Sequence, residues 1–313
     1  MAPKTNIKFS VVVISYNTRD LTANCVRSIL DSYPPDELIV IDNASSDDTV
    51  ENLQNNFPSV NIIVNKKNLG YAAAVNLGAA LVSNEYMILS NSDVDYHPGT
   101  TKKLIEFISK SDEIGVCGPQ QVYPDGNWQY SHGRLPGVIN GIEDLFFITT
   151  LSKIIRRFSY RFFPLEKFPK DTGYIDGAVI CTRKSAFDKL GGFDEDFFFY
   201  SEEADYCYRL KKAGYAVLFY PKATVTHHRG ASSSGKIPNR GKLRQLIASK
   251  VLFCEKHKTK AEKRIFVLFE YIHNKIMSML WALVYKSNKN EKNRIKYIYH
   301  YIANELWREK LKS

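Results

Sequence analysis

The sequence lacks cysteine in any arrangement that would staple or ligate. Its five cysteines, Cys25, Cys117, Cys181, Cys207 and Cys254, are odd in number and form no C-x-x-C pair, which excludes a disulfide framework and a thiolate zinc site. A reduced, cytosolic protein is the expectation from that usage. No long apolar run follows the basic residues of the N-terminus before the strand-like segment at Phe9, so no signal peptide is expected. Acidic residues are scarce at one end only. Residues 231–313 hold 19 Lys and Arg against 6 Glu and no Asp, a balance of +13, while residues 1–230 hold 24 against 27, a balance of −3. The net charge of +10 therefore belongs to the tail, attached to a slightly acidic body. The break predicts a boundary near Ala231–Gly235, with a body over 1–235 and a basic helical extension over 236–313.

What is present is globular: 313 residues, 44% of them hydrophobic and 24% charged, enough for one large domain or two modest ones. From Ile7 to Ser111 short β-branched runs alternate with helix-like stretches, the pattern of an α/β fold with a mostly parallel sheet covered by helices. Strands are predicted over Phe9–Ser15, Glu37–Asp42, Val60–Asn65 and Tyr86–Ser90, and helices over Thr18–Asp31, Asp47–Asn56 and Tyr71–Ser83. In such sheets ligands sit beyond the carboxyl ends of the strands. Three of these ends carry polar residues: Ser15-Tyr16-Asn17, Asp42-Asn43 and Asn91-Ser92-Asp93-Val94-Asp95. Beyond Gly115 the alternation fades, and Gln120–Pro169 reads as mixed sheet and long loops. A helix returns at Glu202–Ala213, with acids in its first turn, cations in its last and Gly214 as its stop.

Several residues could carry chemistry, and each has a plainer reading. Asp93-Val94-Asp95 at a strand exit could hold Mg²⁺ or Mn²⁺, or be ordinary turn residues ahead of Pro98-Gly99. In Asp42-Asn-Ala-Ser-Ser-Asp-Asp-Thr, Ser46 or Asp47 caps the next helix; Asp42 lies too far upstream for that and is placed to accept a hydrogen bond from a base or ribose. Glu202-Glu203-Ala204-Asp205 complements a helix dipole at about 0.3–1 kcal/mol per acid. It also follows the aromatic run Phe197–Tyr200, and an apolar wall raises a carboxylate toward the range of a general base. His227-His228, after a strand at Val217–Tyr220 and a turn at Pro221-Lys222, suits a metal ligand, a phosphate contact or a structural pair.

The order of the motifs is more specific than any one of them. Ser-Tyr-Asn after a strand, Ile-Asp-Asn-Ala-Ser-Ser-Asp-Asp-Thr, Asn68-Leu-Gly-Tyr-Ala-Ala-Ala-Val-Asn76, Leu-Ser-Asn-Ser-Asp93, Gly-Gly-Phe-Asp-Glu with Phe-Phe-x-Tyr-x-Glu-Glu-x-Asp, and Val-Thr-His227 together resemble family 2 glycosyltransferases of the GT-A fold, and within them the bacterial rhamnosyltransferase-like branch. The resemblance covers residues 8–235. It implies that Tyr16, Asn17, Asp42 and Asn43 hold the nucleoside and that Asn68, Gly70 and Asn76 line the sugar-nucleotide pocket. It further implies that Asp93 meets Mg²⁺ or Mn²⁺ with His227 near the metal or diphosphate, that Asp176 and Gly177 lie on the acceptor side, and that Glu203 is the base. Two departures leave alternatives open. Asn91-Ser-Asp93 competes with Asp93-Val-Asp95 for the metal motif, and Glu203 stands where Asp is frequent, which keeps Glu202 as a substitute.

The expected reaction is an inverting transfer of a sugar, from dTDP-rhamnose first and a UDP-hexose second, to a glycan or polyprenyl-diphosphate-linked acceptor. A glycoside hydrolase would need two flanking carboxylates and no nucleotide pocket. A sugar nucleotidylyltransferase would need a Gly-rich, Arg-containing loop where Ser15–Asp20 stands. A nucleic-acid partner for the basic tail would leave the acidic strand ends without a purpose, and none is expected. Within the tail, Arg264–Tyr285 reads as a helix with apolar Ile265, Phe266, Leu268, Phe269, Ile272, Ile276, Leu280 and Leu283. Glu270, His273, Asn274 and Lys275 interrupt it and argue against spanning a bilayer. It either packs on the body as core or, with its flanking lysines, lies on an anionic membrane surface at the cytoplasmic face.

Overall fold

The computed structural model describes residues 7–160, 167–228 and 239–312. The expected boundary at Ala231–Gly235 lies outside them. The first half follows the predicted alternation: β1 (Phe9–Ser15), α1 (Arg19–Ser32), β2 (Glu37–Asp42), α2 (Thr49–Asn56), β3 (Asn61–Val64), α3 (Tyr71–Ala80) and β4 (Tyr86–Asn91). There follow β5 (Val94–Tyr96), α4 (Thr100–Ile108), β6 (Ile114–Val122), β7 (Trp128–Gln129), β8 (His132–Gly133), α5 (Val138–Leu145), α6 (Ile148–Tyr160), β9 (Lys170–Asp171), β10 (Tyr174–Ile175), β11 (Val179–Arg183), α7 (Lys184–Lys189), α8 (Glu202–Lys212), β12 (Ala216–His227), α9 (Arg240–His257), α10 (Lys260–Ser287) and α11 (Glu291–Lys312).

The main sheet runs β3-β2-β1-β4-β11-β6-β12-β5. Its first four strands are parallel, β11 is antiparallel to both β4 and β6, β12 is parallel to β6, and β5 is antiparallel to β12. Apolar side chains fill both faces, as β1 shows: Val11 and Val13 join one core cluster, Val12 and Ile14 the other. Alternate residues of a strand point to opposite faces, so a continuous apolar run is what a sheet covered on both sides requires. Each fully buried Val or Ile stabilises the layer by roughly 1.5–3 kcal/mol. All five cysteines are free and buried, four of them in these two clusters and Cys254 in α9.

Two expectations change. The segment read as loops and mixed sheet contains helices α5 and α6. The turn expected at Pro221-Lys222 is a register shift between Tyr220 and Thr224 within the single strand β12, where a proline without a ladder N–H is tolerated. The bulge lets β12 run on to His227.

The chain divides into two compact units that do not follow chain order. One holds the sheet and comprises the residues up to Arg134, Arg156–Phe198 and Glu202 to the end of β12; the other comprises Leu135–Ile155, Phe199–Ser201 and helices α9 to α11. In the helical unit α10 packs on α5, α9 and α11. Its buried residues are Phe266, Val267, Glu270 and Asn274, so two of the polar residues expected to interrupt an apolar face lie in the interior. They have partners there: Lys250 Nζ is 3.7 Å from Glu270 Oε1, and Asn274 Oδ1 meets His300 Nδ1 at 3.1 Å. Among the described residues no helix is long and apolar enough to cross a membrane.

Candidate active site

The register of the parallel strands builds the site. Ser15 lies beside Asp42, Ile14 beside Asn91 and Asp42 beside Val64, so the polar ends of β1, β2 and β4 meet along one edge. Asp42 is fully buried there. Its Oδ1 accepts the Ser45 N–H at 2.9 Å, while its Oδ2 has no hydrogen-bond partner among the described residues. A buried carboxylate oxygen left open costs free energy unless a ligand fills it. The neighbouring Asn43 is already committed: its Nδ2 donates to Asn68 Oδ1 and the Gly70 carbonyl, and its Oδ1 accepts from Asn65 Nδ2 and the Leu69 N–H. Asn43 and Asn68 thus shape the 65–70 loop from within. Asn17, at φ 52°, accepts the Ser46 N–H and donates its own N–H to Ser45, which ties the first loop to the second. Tyr16 beside it is exposed; the N-cap of α2 is Asp48, with no side-chain cap bond, rather than the expected Ser46 or Asp47, and Asp47 accepts the Thr49 N–H from one residue further out.

Gly70 and Asn76 attach this loop and α3 to the segment after α7. At Gly70, φ is +85° and a Cβ would stand 2.6 Å from the Phe198 carbonyl oxygen, a position open only to glycine. Asn76 donates to the Phe193 carbonyl and Glu195 and accepts the Phe193 N–H. It also lies where a Cβ on Gly192 would stand, 2.5 Å from Asn76 Oδ1.

Beyond β4 the chain turns through Ser92-Asp93 into β5, whose pairing with β12 sets His227 opposite Val94. Asp93 and His227 are both buried, with His227 Nε2 3.4 Å from Asp93 Oδ1. Two glutamines set the imidazole's tautomer. Gln121 Nε2 donates to Asp176 Oδ1 at 3.1 Å and Gln129 Nε2 to the His227 carbonyl at 3.1 Å, which fixes both amides. Their Oε1 atoms then face His227 Nδ1 at 3.0 and 2.8 Å, so Nδ1 carries the proton. In the neutral imidazole that tautomer leaves the lone pair on Nε2, the atom that faces Asp93 and the form of histidine that ligates metals. Asp95 is engaged separately, with His228 Nε2 2.6 Å from its Oδ2. The Asn91 N–H donates to the Ala178 carbonyl, and Ser92 joins buried Thr18. Of the two competing metal motifs, only Asp93 is brought to His227. Among the described residues no group of three or more His, Cys, Asp or Glu could hold a metal. Two protein ligands suit Mg²⁺ or Mn²⁺ when substrate phosphate and water complete the shell.

The carboxylates of α8 sort by burial. Asp205 is buried and paired with Arg209, whose guanidinium also donates to the Leu190 and Gly192 carbonyls; its role is structural. Glu202 is buried with Oε2 unpartnered among the described residues. Burial pushes its carboxyl well above the usual range, and the charges of Glu203 and Asp176 push the same way. Glu203 is only half-buried, which leaves it the more approachable of the two. A Cβ on Gly177 would meet the Glu203 side chain at 3.7 Å, while Tyr71 donates to the Gly177 carbonyl at 2.9 Å. Hydrogen bonds therefore run from His227 through Gln121 to Asp176, whose neighbour Gly177 borders Glu203. Neither glutamine stands out in the sequence, because amides within β-rich text carry no local signature.

The family model for glycosyl transferase family 2 matches residues 10–191, a span that contains the edge, the Asp93 turn and the Asp176 loop. The chain belongs to glycosyl transferase family 2. It is a glycosyltransferase similar to the family's rhamnosyltransferases. It is 30% identical over 240 residues, 73% of this chain and 78% of the other, to the N-acetylglucosaminyl-diphospho-decaprenol L-rhamnosyltransferase of Mycobacterium tuberculosis. It is 25% identical to the O-antigen chain rhamnosyltransferase RfbN of Salmonella typhimurium, over 71% of this chain and 66% of that one. Among solved structures, the mannosyltransferase PcManGT from Pyrobaculum calidifontis, in complex with GDP-Man and Mn²⁺, aligns with a TM-score of 0.62 at 12% identity, over 99% of this chain and 88% of that one. GalNAc-T7 with UDP, GalNAc and Mn²⁺ aligns at 0.55 and 16% identity, over 80% of this chain and 51% of that one. The fold of this family 2 glycosyltransferase is GT-A.

Proposed function

We propose that this family 2 glycosyltransferase moves L-rhamnose, with inversion, from dTDP-rhamnose to a sugar hydroxyl of a polyprenyl-diphosphate-linked acceptor at the cytoplasmic face of the membrane. The observation that carries the reading is the set Asp93, His227, Gln121, Asp176 and Glu203, in which contacts run from the Asp93–His227 pair to Glu203 beside Gly177. Glu203 takes the proton of the acceptor hydroxyl as its oxygen bonds to the anomeric carbon; the bond from that carbon to the diphosphate breaks, and its electron pair leaves with the nucleoside diphosphate. Asp93 and His227 would hold Mg²⁺ or Mn²⁺, which when bound supplies charge stabilisation to the departing diphosphate. Asp42 accepts a hydrogen bond from the nucleoside through its open Oδ2, and Tyr16 covers the base. The rhamnose donor and lipid-linked acceptor draw on the likeness to the mycobacterial enzyme; a UDP-hexose is the second donor.

A donor screen tests this directly. dTDP-rhamnose and a panel of UDP- and GDP-hexoses are each incubated with Mn²⁺ and a prenyl-diphosphate-linked N-acetylglucosamine, and released nucleoside diphosphate and product mass are read. Transfer from dTDP-rhamnose above every other donor is the expected result. Transfer from a UDP-hexose alone would replace the donor, and transfer from none of them would reject the reading.

A further inference from the structure

We propose that helix α6, Ile148–Tyr160, lies in the plane of an anionic lipid surface and seats the protein on it. The proposal deepens the functional reading above, since it rests on an acceptor that is held in a membrane. At 100° per residue, Ile148, Leu151, Ile154, Ile155 and Phe158 fall within an arc of about 120°, a continuous apolar stripe. In a packed helix that stripe would be buried. Here the five side chains are 51%, 58%, 60%, 51% and 73% exposed, and α6 has no buried residue at all. The rest of its circumference carries Lys153, Arg156 and Arg157 with Thr149, Thr150 and Ser152, and no carboxylate. Arg156 lies over the Trp128 ring at 5.9 Å; Lys153 and Arg157 are exposed.

The charge pattern selects the occupant. A second copy of the same helix would bring three cations against three with no acid on either side, whereas an anionic headgroup layer neutralises them while the apolar arc enters the acyl boundary. Thirteen residues span about 20 Å, short of the roughly 30 Å needed to cross, so the helix lies along the surface. The C-terminal helix α10, where a membrane contact was expected from the sequence, buries only Phe266 of its apolar set and leaves Ile265, Leu268, Leu280 and Leu283 exposed, but it carries Glu262 and Glu270 where α6 has no carboxylate.

The test uses the full chain with vesicles of phosphatidylcholine alone and with about one-third phosphatidylglycerol, the anionic lipid that the charge argument requires. Co-sedimentation is measured for the wild type, Leu151→Glu with Ile155→Glu, Lys153→Glu with Arg157→Glu, and Leu280→Glu with Leu283→Glu on α10. The expected results are binding of the wild type to anionic vesicles, a loss of about tenfold or more in partitioning for the first pair, loss of the anionic preference for the second, and little change for the third. Since all four positions in α6 are exposed, thermal melts should coincide with the wild type. Wild-type recovery in the supernatant with both vesicles, unchanged binding by the first pair, or loss confined to the α10 pair would each overturn the proposal. So would a wild-type dimer that the first pair converts to monomer without affecting vesicle binding. Transfer by the wild type to a water-soluble acceptor is read in parallel and reports on the glycosyltransferase reading by itself.

Discussion

At the residue scale, burial decides what each acid can do. Glu202 is held where ionisation is costly, so its folded-state pKa lies above its unfolded one. A carboxyl raised in this way stabilises the fold below the unfolded value, near 4.5, and that contribution is lost as pH rises through the folded value. Glu202→Gln should therefore melt like the wild type at pH 4 and progressively higher than it as pH rises to 8; a constant difference across that range would mean that Glu202 is not raised. His227 depends on two amides rather than on its own environment. Gln121→Leu and Gln129→Leu remove the acceptors that hold the proton on Nδ1, and loss of such outer-shell partners typically costs about 10–100-fold in metal affinity. Titration of Mn²⁺ in the presence of dTDP should show that loss in each variant, and wild-type affinity in both would contradict the role of the two amides. Asp93 and His227 are separated by 133 intervening residues in the sequence and meet only through the β5–β12 register, which is why each reads locally as a possible metal ligand while their pairing rests on the resemblance alone.

At the scale of elements, local pattern carried some segments and failed on others for identifiable reasons. Strands β1, β2 and β4 were legible because both of their faces are buried and the apolar run is unbroken. Helix α8 was legible from its charge gradient and Gly214 stop. Helices α5 and α6 were not, because Gly, Pro and aromatic residues around them suggested loops, although the spacing of Ile148, Leu151, Ile155 and Phe158 is helical. Helix α10 was legible in extent but not in orientation: its interior includes Glu270 and Asn274, whose partners Lys250 and His300 belong to other helices. That arrangement is testable. Lys250→Met strands a buried carboxylate and should cost about 3–5 kcal/mol, while the double change Lys250→Met with Glu270→Leu should recover most of it. Chemical denaturation of the three proteins separates the outcomes, and equal loss in single and double variants would show that the pair is not coupled.

At the scale of the molecule, two kinds of surface are kept in different compact units. The sheet unit carries buried Asp42, Asp93, Asp176 and Glu202, His227 and the polar edge, whereas most of the exposed large apolar side chains belong to the helical unit, among them Ile139, Phe146, Leu151, Met279 and Leu283. The same half of the chain holds the +13 tail. Such a division suits the proposed function, with chemistry on a soluble donor and a second substrate held in a lipid surface. The assignment of Glu203 as the base is tested by a paired measurement: kcat and the Kd for nucleoside diphosphate with Mn²⁺, in the wild type, Glu203→Gln and Asp93→Ala. Glu203→Gln should lose about 10²–10⁴ in kcat with Kd unchanged, and Asp93→Ala should lose both turnover and metal-dependent affinity. Full turnover in Glu203→Gln, or the same loss appearing in Glu202→Gln instead, would contradict the assignment.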